Sequence, residues 1–143
     1  MLSFLAKKHF VVVFLYTVFL LHILALIFGW YDNLKYFDSF HHFLGGAWVA
    51  SLAAYYLVKF NLVKVFDFKS YFFVLIFLVG TATLMGVFWE IFEFGADQYS
   101  LHRFGISANM QPSLSDTMGD LFFDCFGALV FAFAYLKISK QDK

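Results

Sequence analysis

The sequence predicts an all-α fold: an integral membrane bundle of four transmembrane helices with both termini in the cytoplasm. Three observations predict it. The 143 residues are 62% hydrophobic and 24% aromatic, far above globular norms, and 23 of them are Phe. Such a surface has no polar cover in water but is ordinary in a bilayer. The apolar residues fall into four runs, about 10–30, 40–60, 71–96 and 116–138, each near the ~20 residues that cross a hydrocarbon core of ~30 Å. The connections between the runs carry unequal charge, which sets orientation.

The first run follows Lys7 and Lys8 and ends at Trp30. Its length exceeds the ~7–15 apolar residues of a secretory signal, and no small-x-small cleavage site follows in GWYDN, so it reads as a retained span. His22 inside it is expected to be neutral and hydrogen-bonded within the bundle. A polar connection with Asp32, Lys35 and Asp38 leads to the second span. There Gly45, Gly46, Ala47, Ala50, Ser51, Ala53 and Ala54 provide faces for close helix packing in lipid. Those faces serve contacts within one chain or between chains equally well, which leaves the oligomeric state open. A connection with Lys64 and Lys69 precedes the third span, whose apolar part ends at WEIFEFGAD. A loop from Gln98 to Ser115 contains Arg103 and Pro112, the only proline, and SDTMGD opens the fourth span. No internal repeat divides the chain, so residues 1–143 form a single transmembrane domain. Trp30, Tyr31, Tyr36 and Tyr99 read as an interfacial aromatic belt.

Composition also excludes classes. The formal net charge is zero, which gives no footing for nucleic acid. Cys125 is the only cysteine, so there is no intramolecular disulfide and no thiolate metal cluster. Eight of the ten Lys and Arg fall on the side shared by both termini and the 59–71 connection, leaving Lys35 and Arg103 opposite. The positive-inside rule makes the crowded side cytoplasmic. The chain is thus expected in the bacterial inner (cytoplasmic) membrane as a multi-pass protein, with the lipid bilayer as its first partner.

The acids sort the other way. Glu90, Glu93, Asp97, Asp116, Asp120 and Asp124, six of ten, lie in or beside the outer halves of the third and fourth spans. Glu90, Glu93 and Asp97 form one helical stripe, and Asp116, Asp120 and Asp124 another. On antiparallel neighbours joined by an outer loop the stripes match in depth: Asp97 with Asp116, Glu93 with Asp120, Glu90 with Asp124. His41 and His42 enter at the outer end of the second helix, level with the top rungs. Capping is a competing account for Ser115 or Asp116 at the start of the fourth helix, and Asp97 could be a solvated helix end. Acids one to two turns inside a span have no such account and mark a functional site.

Carboxylates that close stay ionised only around a cation; otherwise the cluster takes up protons. Mg²⁺ or Mn²⁺ suits an all-oxygen site, while direct imidazole ligation favours Zn²⁺, Mn²⁺ or Fe²⁺. The candidate metal ligands are His41, His42, Glu93, Asp97, Asp116 and Asp120. Glu90 and Asp124, deeper, are the candidate catalytic groups, and His102 and Arg103 are candidates for holding a phosphate.

HHFLGGAWVA, WEIFEFGAD and QPSLSDTMGDLFFDCFGAL resemble the YjdF-like bacterial inner-membrane proteins, from about Asp38 to Leu129. The resemblance implies a small integral membrane protein and supplies no catalytic assignment. More distantly, the WE-containing span followed by an Asp-rich span is similar to VanZ-like proteins. The Asp116–Asp120–Asp124 spacing is similar, in chemistry only, to the Mg²⁺–diphosphate helices of membrane prenyltransferases and CDP-alcohol phosphotransferases. The leading expectation is a metal-dependent hydrolase or phosphotransferase acting on a phosphate-bearing lipid, its site facing the non-cytoplasmic side. Proton- or ion-coupled transport and a non-catalytic accessory subunit are the alternatives.

Overall fold

Four long helices carry the chain in the computed structural model, which describes residues 4–62, 71–105 and 110–141. After a 3₁₀ turn at Phe4–Ala6, α1 runs Lys8–Phe28 and α2 is a single turn, Trp30–Asn33. Three longer elements follow: α3 at Phe37–Lys59, α4 at Tyr71–Phe104 and α5 at Leu114–Gln141. The described residues contain no strand. The connection with Lys64, Asp67 and Lys69 lies outside the described residues, as do Asp142 and Lys143.

Chain breaks fall where the sequence supplies breakers. Gly29 ends α1 in the left-handed region, at φ 64°, and its N–H bonds to Ala25 O. That φ is easy only for glycine. The expected loop from Gln98 is shorter than anticipated, because residues 98–104 hold no Gly or Pro and the helix continues to Gly105. At φ 70°, Gly105 closes α4 with its N–H on Leu101 O. The cap of α5 also differs from expectation. Neither Ser115 nor Asp116 is the N-cap; Ser113 is, its Oγ accepting from Asp116 N–H at 3.2 Å. Asp116 then sits in the first turn, the spacing of a capping box.

Helix α3 is the centre of the bundle. It packs most extensively against α5, next against α4, and takes α1 on another face. Small residues make this possible: Gly46, Ala47, Ala50, Ala53 and Ala54 are buried on α3, opposite Ala82 and Gly86 of α4 and Ala128 and Ala132 of α5. In lipid, helices associate through such close van der Waals seams. Two side chains of α3 clip α1 in place: Trp48 Nε1–H donates to Val11 O at 3.1 Å, and His41 Nε2 lies 3.3 Å from Val18 O. The partners step by two turns in opposite chain directions, so α1 and α3 are antiparallel.

The buried stripe of α4 runs Val74, Leu78, Ala82, Gly86, Glu90, Glu93, Asp97. It is apolar at its start and acidic at its end. On α5 the order reverses, from Asp120 and Asp124 to Ala128, Phe131, Ala132 and Tyr135. On α3, His42 precedes the small-residue seam. One end of the three-helix junction is therefore polar, and the rest is a dry core around Leu57 and Leu78.

Three helical segments are long and apolar enough to cross a membrane: Lys8–Phe28, Tyr71–Phe104 and Leu114–Ser139. Helix α3 is long enough too, with 23 residues. Its apolar run is interrupted, because it carries the small and polar residues the others pack upon. At ~1.5 Å per residue α4 is about 50 Å long, well beyond a ~30 Å hydrocarbon core.

The seams set a stability test. A Cβ on Gly127 would collide with the Phe43 carbonyl, and one on Gly46 with the Asp124 backbone, whereas Gly95 faces open space. Gly127→Ala and Gly46→Ala are each expected to lower stability by about 1–3 kcal/mol. Gly95→Ala should be neutral or stabilising by up to about 1 kcal/mol. Thermal denaturation of the purified protein in detergent checks all three.

Candidate functional site

The imidazole of His42 is the hub of the polar end. It is only 6% exposed, and both α4 and α5 bring carboxylates to it. Nδ1 lies 3.4 Å from Asp124 Oδ2 of α5, and Nε2 lies 3.8 Å from Asp38 Oδ1, one turn earlier on α3. Two sets of ligand-type atoms each lie within 4.8 Å of one another: Asp38, His42 and Asp120, and His42, Glu90 and Glu93. Both sets contain His42.

Asp124 reaches this junction because glycines leave it room. Gly46 of α3 backs onto its main chain, and Gly86 of α4 faces its carboxylate so closely that a Cβ there would collide with Oδ2. Gly45 completes the surround, an added Cβ lying 3.8 Å from Asp124 Oδ1.

The α4 acids are each held differently. Trp89, one turn back, donates Nε1–H to Glu93 Oε1 at 2.9 Å. Gln111 Nε2 donates to Glu90 Oε2 at 3.0 Å and approaches Glu90 O at 3.3 Å. Glu90 Oε1 has no partner, and among the described residues it alone is a buried side-chain polar atom in that condition. Asp97 accepts the backbone N–H groups of Met110 and Gln111, both at 3.0 Å. The segment before α5 is thereby tied down over the acidic stripe.

Of the residues expected from the sequence, His42, Glu90, Glu93, Asp120 and Asp124 come together. Asp97 is buried and serves the backbone at 110–111, rather than ending as a solvated terminus. Asp116 is half-buried and outside both ligand sets. His41 is outside them too: it faces α1, stacked on Phe37 with its ring centroid 5.3 Å from that of His22. His102 and Arg103 are exposed at the end of α4, where they line a shallow surface depression with Gln98 and Tyr99. His22 is hydrogen-bonded within the bundle as expected, its Nδ1 2.7 Å from Tyr31 Oη.

That contact revises the reading of Tyr31, which is not simply part of an interfacial belt. Its ring also packs edge-on to Phe37 and His41. Burial, and then the charges of Asp38 and Glu93, push its hydroxyl above the usual phenol range. Sequence reasoning also passed over Asp38 and Gln111. Asp38 had a signal, since it precedes His42 by four residues and so shares its face. Gln111 had none, because its role depends on how the loop folds back.

Fold and site together define a small helical membrane protein with a buried acidic–histidine junction. The chain belongs to the family described as "Predicted membrane protein (DUF2238)", whose model matches residues 5–141 and so covers the whole junction. No curated protein and no solved structure matches it significantly.

The Asp97 tie is testable by hydrogen exchange. Asp97→Ala should speed exchange of the Met110 and Gln111 amides by about tenfold or more, the scale of a charge-assisted bond of ~1.5–3 kcal/mol. Asp116→Ala should leave both amides unchanged.

Proposed function

We propose that the His42 junction binds a divalent cation and uses it on a phosphate-bearing lipid at the non-cytoplasmic face of the bacterial inner membrane. The observation that carries this is the shared imidazole with an orphan oxygen beside it. A buried carboxylate oxygen without a partner is costly, and Glu90 Oε1 lies in the same residue set as His42 and Glu93. A cation would satisfy it and would let the surrounding carboxylates stay ionised together.

In this reading α3 is the fourth span, both termini are cytoplasmic, and the positively charged loops set that orientation. If α4 enters the hydrocarbon core near Tyr71, ~30 Å of helix reaches about Glu90. The acids then stand near the headgroup level. His42, Glu93, Asp120 and Asp38 are the first ligands, with Glu90 and Asp124 deeper and Asp97 and Asp116 at the mouth. His41 would join only by turning from α1. With one imidazole among oxygens, Mn²⁺ or Zn²⁺ fits better than Mg²⁺.

The bound ion would polarise a phosphoryl oxygen or generate a hydroxide, with Glu90 placed to accept a proton. His102 and Arg103, on the protruding end of α4, would meet the phosphate. The protein would thus be a hydrolase or phosphotransferase of lipid; the narrower resemblances to YjdF-like and VanZ-like proteins bear on its being a small membrane protein and not on the reaction. The apolar core around Leu57 and Leu78 favours a site at one end of the bundle over a transport path through it. An accessory subunit whose acids only set helix registry is the remaining alternative; it requires that Asn and Gln replacements preserve function.

Metal analysis of protein purified in detergent and equilibrated with Mn²⁺ or Zn²⁺ tests the proposal. Wild type should retain the ion, and Glu93→Ala with Asp120→Ala should weaken binding at least 100-fold. A wild type that retains neither ion excludes the proposal.

A further inference from the structure

Asp124 is matched closely to one neighbour, which suits it to position that neighbour. It is 5% exposed and enclosed by Gly45 and Gly46 of α3 and Gly86 of α4. Its Oδ2 lies 3.4 Å from His42 Nδ1. An ionised carboxylate only accepts hydrogen bonds, so this contact places a proton on Nδ1. A metal takes the ring in its neutral form, and the single lone pair is then on Nε2, the nitrogen 3.8 Å from Asp38 Oδ1.

Resting on the cation-binding reading, we infer that Asp124 is a positioning residue: it fixes His42 in the Nδ1–H form and presents Nε2 to the metal, and the three glycines are the cradle that admits it. Carboxylate–histidine–metal relays of this kind orient the ring and raise its basicity. The unpartnered Glu90 Oε1, buried in the same cluster, is the independent sign that a cation belongs there. The same lone pair fixes stoichiometry. Asp38–His42–Asp120 and His42–Glu90–Glu93 share one imidazole, so they take one ion between them and not two.

The experiment is ¹⁵N NMR of histidine-labelled protein in detergent, loaded with Zn²⁺, together with Zn²⁺ titration. Wild type should bind one Zn²⁺, with His42 metallated at Nε2 and protonated at Nδ1. Asp124→Asn should weaken binding about 10–100-fold and move the Nδ1–H resonance. Gly86→Ala keeps the aspartate but crowds its carboxylate, and should weaken binding in the same direction. Gly80→Ala, which meets nothing within 4 Å, should match wild type. Zn²⁺ bound through Nδ1, two ions per chain, or wild-type affinity and ring signals in both the Asp124 and Gly86 variants overturns the inference while leaving metal binding intact. A wild type that takes up no Zn²⁺ overturns the inference, and one that takes up neither Zn²⁺ nor Mn²⁺ overturns the cation-binding reading with it, which metal content rather than the ring resonance shows. If Asp124→Asn does not fold, Gly86→Ala decides alone.

Discussion

Everything at the polar end depends on how closely three helices approach at Asp124. The Asp124 carboxylate stands inside the seam because Gly86 of α4 has no Cβ to meet it, while Gly46 of α3 admits its main chain. The same absence of side chains draws α3 against α5 until Gly127 meets the Phe43 carbonyl. Close packing in lipid needs small residues, and here the small residues also make room for a charge. Packing and polarity are thus coupled: the contact that brings the backbones together also delivers Asp124 to His42.

Much of this was legible in sequence. The period of the acids gave two stripes because helical geometry is regular, and each stripe proved continuous with the apolar face of its own helix. Glu90 and Glu93 follow Gly86 on α4, as Ala128 follows Asp124 on α5. The expected rung pairing of Glu90 with Asp124 is displaced: Asp124 lies beside Gly86, one turn below Glu90, and acids of the two helices are brought together through His42. His42 was expected level with the top rungs, Asp97 and Asp116, but its partner on α5 is the lowest rung, Asp124, because α3 presents it deeper in the seam. The fourfold division into long helices was also readable, although small and polar residues break up the apolar run of α3.

What was not legible depends on rotation and on loops. His41 and His42 are adjacent in sequence and so point about 100° apart on a helix. One faces the acids and the other faces α1, and no local pattern says which. The loop before α5 folds back so that Asp97 takes two backbone donors and Gln111 reaches Glu90. Residue types in that loop do not encode its path. Tyr31 looked interfacial because it is aromatic and near a helix end, but the sharp turn at Gly29 swings it onto His22.

The central position of α3 has a consequence for biogenesis. A nascent chain emerges from its N-terminus, so α1 and α3 can pair as a hairpin before α5 is made. The most intimate seam, between α3 and α5, joins two elements far apart in the chain. Until α5 arrives, Gly46 and its neighbours present an open groove, and His42 lacks its carboxylate partner on α5. Synthesis of α5 therefore both closes that seam and delivers Asp124 to His42.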